Sequence, residues 1–409
     1  MKTKTGYKFY LDIETITPVS IGTGESLSPL ADYWIWGNCA NKLDYKKFEK
    51  VLDENPEYIP VYLNGVKNHI NKAKNDFLYG FIKNTLKDDP RNYISETISV
   101  TGNGNATELK TCIKEKEKLI IPASTIKGAI KSAMLYYWLM KDEHDEIMTE
   151  ILDDLELLYD STDNKSKRES EKERKIVEKI TDLLDQFLEK MSKNKRMNFS
   201  LLKIEDAYFE NEFPIWIYTL RQPLKYKKHK EKQEEIPIFL EAIPTGSKSS
   251  FHIELENNQT SFNTNPNLSE YFKDNGISNL IKHINRYSKD NLRYEKECVK
   301  RKNELNGYLN ELSSLEKTIN QSSENVAFIP LGFGKTNFYQ SIGLALWNWI
   351  NRFRKEDGDD CLNYAFESYL RLFKIGKAID NEWQNQIPTT RTLTIINQQP
   401  LGWVKLTIK

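Results

Sequence analysis

A helix that begins with hydroxyl and lysine side chains is the pattern in this chain with the clearest chemical potential. A short apolar run ends at Pro122, which lacks the N–H group that a β-ladder needs. Ser124 or Thr125 then offers a hydroxyl to the free N–H groups of a helix start. An apolar stripe at helical spacing follows: Ile126, Ala129, Ile130, Ala133, Met134, Tyr137 and Trp138. Lys127 and Lys131 are four residues apart, so they share one helix face, away from that stripe. Since a helix N-terminus carries partial positive charge, these residues predict an anion site; the alternative is a surface helix with solvated lysines.

The histidines and serines of the chain do not form a recognisable catalytic set. None of the five histidines has a metal-ligand spacing to another His or Cys, and no serine lies in a nucleophile-elbow pattern. His229 lies in a basic loop that contains an aromatic residue, where it is either a general base for RNA cleavage or a solvated histidine. We therefore predict no catalytic residues, no metal and no cofactor.

Two glycine-rich stretches are incomplete as nucleotide-binding loops. Gly334-Lys335-Thr336 resembles the end of a phosphate loop, but Ile329 stands where the first glycine is required. The pairs Gly22-x-Gly24 and Gly332-x-Gly334 lack the third glycine of a dinucleotide fingerprint. Glycine-rich turns combined with lysines and aromatic residues favour binding of a phosphate backbone with base stacking.

Composition narrows the class of protein. The chain has 409 residues, which suggests two or three domains, and its 59 basic and 59 acidic residues cancel. Any contact with nucleic acid must therefore come from local patches. The four cysteines are scattered, which fits a reducing compartment, and no apolar run approaches the ~18 residues of a membrane span. We expect a soluble, cytoplasmic protein without a membrane partner.

The elements that position these residues can be read from periodicity. Alternation over residues 7–17 predicts a strand with one buried face, and Gly37-Asn38 predicts a turn between two strands. Residues 109–121 are predicted to be extended and to lead into the helix described above. Residues 142–196 predict a charged loop near 160–170 and an amphipathic helix, in a peripheral insertion. Residues 280–319 predict a long helical segment.

Three segments together resemble the RAMP superfamily of CRISPR proteins: Thr17–Gly24, Ile121–Lys131 and Leu331–Lys335. The last two, with Pro388–Arg391 and Leu401–Val404, resemble the family of fifth subunits of type III-A (Csm) effector complexes. These motifs follow the order of that family along nearly the whole chain.

The resemblance implies an α+β fold with two RNA-recognition-like (ferredoxin-like) domains and helical insertions. We expect an N-terminal domain over residues 1–230, with insertions at about 45–90 and 142–196. A C-terminal domain would cover residues 231–409, including the helical segment at about 280–319.

The function implied by the resemblance is that of a non-catalytic subunit of an antiviral ribonucleoprotein. It would bind the 3′ region of crRNA, cap the backbone filament and support crRNA maturation. Its partners would be crRNA, the other Csm subunits, chiefly the repeated backbone RAMP subunit, and a host trimming nuclease. Ser20 stands where RAMP proteins often have a histidine base, and Ala123 replaces the usual glycine after Ile-Pro.

Two other functions stay open at this point. The chain could be a metal-independent, RAMP-type RNA-processing endonuclease that uses His229 and nearby lysines. It could also be a protein-binding scaffold that docks through the helical segment 280–319.

The same motifs assign RNA contacts to two glycine-rich loops and to the helix start. Lysines would pair with phosphates, and hydroxyls would bind phosphate or a 2′-hydroxyl. Arg391 is either an RNA contact or a structural charge at a strand edge. The predicted RNA-binding residues are Gly22, Thr23, Gly24, Ser124, Thr125, Lys127, Lys131, Gly332, Gly334, Lys335 and Arg391.

Overall fold

The strands and helices were defined on a computed structural model. It describes residues 2–3, 6–70, 76–102, 104, 108–159, 167–191, 202–210, 212–223, 236–256, 276–300, 303–334, 342–353, 361–373, 378–379, 382–383, 390–394 and 397–409. The strands are β1 (Lys2–Thr3), β2 (Gly6–Thr15), β3 (Gly22–Leu27), β4 (Tyr33–Trp36), β5 (Cys39–Leu43), β6 (Ile94–Thr101), β7 (Leu109–Cys112), β8 (Lys114–Glu115), β9 (Lys118–Ile121), β10 (Leu202–Ile204), β11 (Ala207–Phe209), β12 (Ile215–Pro223), β13 (Ile236–Ala242), β14 (Lys248–Glu256), β15 (Val326–Pro330), β16 (Ala378–Ile379), β17 (Glu382–Trp383), β18 (Thr390–Thr394) and β19 (Trp403–Ile408). The α-helices are α1 (Tyr45–Glu54), α2 (Tyr58–His69), α3 (Phe77–Gly80), α4 (Ala123–Leu139), α5 (Asp145–Tyr159), α6 (Lys167–Met191), α7 (Gly276–Val299), α8 (Asn306–Asn320), α9 (Gly343–Phe353) and α10 (Cys361–Leu372).

A six-stranded sheet has β2 at its centre. Its order is β10-β14-β2-β19-β15, with β1 paired to one end of β2, and every pair is antiparallel. Leu11, Ile13 and Thr15 alternate into the core, because successive side chains of a strand point to opposite faces. The predicted strand with one buried face is confirmed.

An eight-stranded sheet has the order β3-β7-β13-β12-β6-β5-β4, and β18 also pairs with β12. Its β4–β5 hairpin turns at Gly37-Asn38, as predicted.

A three-stranded sheet, β11-β9-β8, leads into α4. Residues 109–121 therefore form three strands and not one extended segment, since the chain turns at Lys116 and Glu117, which both have positive φ. The predicted α+β class, with RNA-recognition-like domains and helical insertions, is confirmed; the structure builds it on two large sheets.

Both large sheets combine strands from distant parts of the chain. In the six-stranded sheet, β2 lies between β14 and β19. In the eight-stranded sheet, β12 and β13 pair with each other from either side of residue 230. The division into units 1–230 and 231–409 stays a prediction.

The insertion at 142–196 is part of the main core. Met148, Ile151 and Leu155 of α5 and Ile176 and Ile180 of α6 are buried in the largest hydrophobic cluster, which also includes the apolar side of α4. The predicted amphipathic helix is confirmed, but the expectation of a peripheral insertion is wrong. Its apolar stripe faces the same core as the rest of the chain. Residues 160–166 of the predicted charged loop lie outside the described residues, and residues 167–170 are helical.

Within the described residues, the segments at about 45–90 and 280–319 are mainly helical, as predicted, and both bury their apolar faces. The first packs a separate core around Trp34, Phe48 and Leu78. The second consists of α7 and α8, whose Leu312 and Ile319 are buried in the main core. This stripe is therefore not available as the docking surface of a scaffold. Within the described part of the chain, no helix is long and apolar enough to cross a membrane.

Candidate nucleic-acid interface

The start of α4 is capped by a residue from a distant part of the chain. The helix begins at Ala123, and Asp206 Oδ1 accepts a hydrogen bond from the Ala123 N–H at 2.6 Å. The prediction that Ser124 or Thr125 is the N-cap is wrong, since both lie inside the first turn. A carboxylate at this position already offsets part of the positive end of the helix dipole. Attraction of an anion here must therefore come from side chains.

The two sides of α4 differ in size and polarity. Ile126, Ala129, Ile130, Ala133 and Met134 are buried, which confirms most of the predicted stripe. Tyr136 is also buried, whereas Tyr137, which was predicted for the stripe, is only half-buried. The exposed side begins with Ser124 and Gly128, and a Cβ atom placed on Gly128 would meet no heavy atom within 4 Å.

Lys127 and Lys131 are half-buried neighbours on this helix. Desolvation lowers the pKa of both ammonium groups, and the charge of Lys131 lowers the pKa of Lys127 further. Among the described residues, no carboxylate lies within ion-pair distance of Lys127. A phosphate placed beside Lys127 would stabilise its charged form, because it would supply an opposite charge close to the ammonium group.

The first glycine-rich loop forms the start of β3. Gly22, Thr23 and Gly24 are exposed, and no atom of a neighbouring residue would crowd a Cβ at Gly24. The Thr23 hydroxyl shares a hydrogen bond of 2.7 Å with the Thr111 hydroxyl and accepts the Glu25 N–H at 3.0 Å. An RNA contact of Thr23 would have to compete with these bonds.

The second glycine-rich loop packs directly on the segment before β3. The Phe333 N–H donates to Ser20 O at 2.7 Å. Gly332 has φ +68°, and a Cβ there would lie 2.2 Å from Ser20 O. Gly334 has φ +93°, and a Cβ there would lie 2.9 Å from the Leu401 side chain. Only glycine allows the backbones of the two segments to approach this closely.

Replacing Gly332 by Ala is expected to destabilise the fold by more than 2 kcal/mol (order of magnitude), because it adds a backbone clash to the ~1–2 kcal/mol cost of a left-handed residue. Denaturant unfolding would measure this loss. Gly24→Ala is the matched control, since Gly24 also has positive φ, +92°, but has open space around it. Equal losses for the two variants would show that the contact between Gly332 and Ser20 is unimportant.

The three predicted segments meet in one cleft of about 590 Å³, which we call the glycine cleft. The cleft has three walls, which are formed by α4 and by the two glycine-rich loops. The lining residues are Ile21, Gly22, Ser124, Thr125, Gly128, Ala129, Ser132, Gly332 and Phe333.

The predicted site residues therefore divide into groups. Gly22, Ser124, Thr125 and Gly332 line the glycine cleft. Thr23, Gly24, Lys127, Lys131 and Gly334 lie on the same segments without lining it. Lys335 lies outside the described residues, and Arg391 pairs through its backbone with Gln222 in the eight-stranded sheet. Their roles as RNA contacts stay predictions.

The cleft is also lined by five residues that are not among the predicted RNA contacts: Ile21, Gly128, Ala129, Ser132 and Phe333. Ile21 and Phe333 each adjoin a predicted glycine, and Ser132 lies two turns beyond Ser124 on α4. The ammonium group of Lys110 lies 5.7 Å from the centre of the Phe333 ring, a cation–π distance. An aromatic residue between two glycines was the available signal for Phe333.

The described residues contain no group of three or more His, Cys, Asp or Glu side chains that could hold a metal ion. The side chain of Ser20, at the position where RAMP proteins often have a histidine, is 1% exposed. His229, the proposed general base, lies outside the described residues.

Comparison with known proteins places the chain in a family. The RAMP superfamily model matches residues 12–339. The CRISPR system Cms protein Csm5 of Methanocaldococcus jannaschii is 27% identical over 427 residues, which cover 98% of this chain and 90% of the relative.

Two solved structures share the fold. Csm5 of T. onnurineus has a TM-score of 0.57 at 18% identity, covering 96% of this chain and 99% of that one. A chain in a cryo-EM structure of a Csm–crRNA–target RNA ternary complex has a TM-score of 0.58 at 19% identity, covering 99% and 100%. Because the superfamily match spans most of the sequence and includes the segments of the glycine cleft up to Phe333, the chain belongs to the RAMP superfamily, where it is similar to Csm5 proteins.

Proposed function

We propose that this chain is a non-catalytic, RNA-binding subunit of a type III-A CRISPR effector complex. In this proposal it binds the 3′ region of crRNA in the glycine cleft, caps the backbone filament and supports crRNA maturation. The observation that carries the proposal is the convergence of three motif-bearing segments, around residues 22, 124 and 332, on one cleft.

The chemistry of the cleft suits single-stranded RNA. The absence of a side chain at Gly22 and Gly128 leaves room for a sugar–phosphate backbone beside α4. The hydroxyls of Ser124 and Thr125 can bond phosphate or a 2′-hydroxyl, which only RNA carries. The neighbouring lysines supply charge for phosphates, and Phe333 offers a ring edge or face for a base.

The comparisons support the partners in this proposal. The M. jannaschii relative is described as a CRISPR system protein, and one structure with this fold is part of a complex of Csm proteins, crRNA and target RNA. We therefore propose crRNA and other Csm subunits as partners, chiefly the repeated backbone RAMP subunit, in the cytoplasm. Trimming of the crRNA 3′ end would belong to a separate host nuclease.

Gly128 provides a steric test of the glycine cleft. Replacing it by Gln would place a long side chain in the open space beside α4, so we expect affinity for a labelled guide-type RNA to fall about tenfold or more, equivalent to ~1.4 kcal/mol. Filter binding and gel shift would measure the change. Gly128→Ala is the matched control, since it adds one methyl group and favours the helix.

Binding by Gly128→Gln equal to that of wild type would count against RNA in this cleft. The same gels also examine the endonuclease alternative, because the RNA should be recovered intact with and without divalent metal. Fragments that appear with wild type and disappear with His229→Ala would establish the endonuclease in place of the binding subunit.

A further inference from the structure

A second cleft, of about 380 Å³, lies between α4, α7 and α9 and is rich in cationic side chains. None of its residues belongs to the motifs discussed above. We call it the cationic cleft, and it is lined by Tyr136, Met140, Arg286, Lys289, Asp290, Arg293, Asn348, Asn351 and Arg352. Four cationic side chains therefore surround one carboxylate.

A buried hydrogen-bond network fixes the floor of the cationic cleft. Asp290 accepts the Tyr136 hydroxyl at 2.6 Å and Arg293 Nη1 at 3.1 Å. Asn348 Nδ2 donates to the Tyr136 oxygen at 3.0 Å. Desolvation, followed by the charge of Asp290, raises the pKa of Tyr136, so the phenol stays protonated and neutral. The only carboxylate of the lining is thus occupied by its own neighbours.

The cationic side chains of the cleft differ in whether a carboxylate lies close enough to form an ion pair with them. Arg352 pairs with Asp142 at 2.9 Å, and Arg293 lies near Glu316 as well as Asp290. Arg286 and Lys289 have no carboxylate within ion-pair distance among the residues that the structure describes. Two positive charges therefore face the cleft without an opposite charge from the described chain.

The two clefts adjoin along one face of α4. Thr125 and Ser132 line the glycine cleft, and Tyr136 lines the cationic cleft. At 3.6 residues per turn, these three positions point within about 40° of one another, and Ser132 and Tyr136 are separated by about 6 Å along the helix axis. Tyr136 is itself buried against Tyr287 of α7, so a single strand that passes from one cleft to the other would cross the junction of α4 and α7 about one helical turn beyond Ser132.

We propose that the cationic cleft binds a backbone phosphate of the same RNA strand that occupies the glycine cleft. This inference rests on the proposed function, since it extends the RNA path along α4. Arg286 presents a planar guanidinium that can bind two phosphate oxygens, and Lys289 adds a point charge. The short distance along α4 between the two clefts favours RNA over an unrelated acidic protein segment as the occupant.

The test compares RNAs of about 4 and about 16 nucleotides, the range of site sizes of single-strand binding modules. Arg286→Ala combined with Lys289→Ala should flatten the slope of log affinity against log salt for the longer RNA by at least ~0.7, the value for one phosphate contact. The slope for the short RNA, which fills the glycine cleft alone, should not change.

Lys282→Ala combined with Lys300→Ala is the matched control. Lys282 lies on α7 and pairs with Glu324, and Lys300 follows α7 and pairs with Glu297, so the same charge is lost away from the cleft. Thermal melting should be normal for both double variants.

Two outcomes would overturn the inference: an unchanged slope for the longer RNA, and an equal loss for both RNAs. If the unchanged slope is accompanied by failure to assemble with other subunits, the cleft binds an acidic protein partner in place of RNA. Failure of the proposed function is separate, since it would appear as normal binding of both RNAs by Gly128→Gln.

Discussion

Replacement of Glu241 by Ala is expected to lower the free energy of unfolding by about 3–5 kcal/mol, the cost of breaking a buried ion pair from one side. Glu241 lies on β13 and is 1% exposed. It accepts the Cys112 N–H at 3.1 Å and Lys114 Nζ at 2.9 Å, and Lys42 Nζ lies at 3.6 Å. Its loss would leave the half-buried ammonium group of Lys114 and the buried Cys112 N–H without their carboxylate partner. Denaturant titration of purified protein would measure the effect.

Glu96→Ala is the control, because it removes a second carboxylate from Lys42, at 2.8 Å. The Glu96 side chain is 42% exposed, so its loss should cost less than about 1 kcal/mol. Similar losses for the two variants would contradict the special role of Glu241.

Acid should remove the contribution of Glu241 in wild type. Desolvation raises its pKa, but the hydrogen bond and charge of Lys114, with the charge of Lys42, outweigh this and hold the pKa below the usual 4.5. The stabilisation is therefore complete above pH 4.5 and is lost as the pH falls through the lower, folded-state pKa. The difference in stability between wild type and Glu241→Gln should shrink over the same pH range.

Replacement of both Lys127 and Lys131 by Ala is expected to weaken RNA binding without unfolding the protein. Each lysine that contacts a phosphate adds about 0.7 to the slope of log affinity against log salt on a single strand, so loss of both should flatten it by about 1.4. Their pKa values are already lowered by desolvation and, for Lys127, by mutual repulsion, so the fold loses little. Filter binding over a salt series would measure the slope.

Lys46→Ala with Lys50→Ala provides the matched control. These lysines are also four residues apart and are exposed on α1, which does not line the glycine cleft. A slope that stays unchanged in the Lys127 and Lys131 variant, with normal melting, would exclude these lysines as phosphate contacts.

The sequence alone predicted those strands, turns and helices whose residue pattern lies within one continuous segment of the chain. The alternation of β2, the turn at Gly37-Asn38 and the apolar stripe of α4 each follow from side-chain period or turn chemistry. The turn at Lys116 and Glu117 could not be predicted in this way, because neither lysine nor glutamate favours positive φ. The pattern of a charged, amphipathic segment such as 142–196 likewise predicts that one side is apolar, but it does not predict which hydrophobic core that side packs against.

The geometry of the candidate site depends on contacts between residues that are far apart in the sequence, and residue spacing does not predict such contacts. The cap of α4, Asp206, lies 83 residues from Ala123, and Glu241 lies 127 residues from Lys114. The glycine-rich loops and the start of α4 were grouped by their resemblance to a family and not by local physics. Gly332 was predicted as an RNA contact, and its positive φ and contact with Ser20 give it a structural reason to be glycine as well.

The central position of β2 has a consequence for synthesis on the ribosome. Residues 6–15 are made early, yet their two main neighbours are residues 248–256 and 403–408. At about 5–20 residues per second, β2 would wait about 20–80 s for its later partner, with hydrogen-bonding groups unpaired on at least one edge. During that time the nascent chain exposes an apolar strand that can pair with other chains. Protection by a chaperone, or slow release into a shielded environment, would then influence the yield of folded protein as strongly as the stability of the finished sheet.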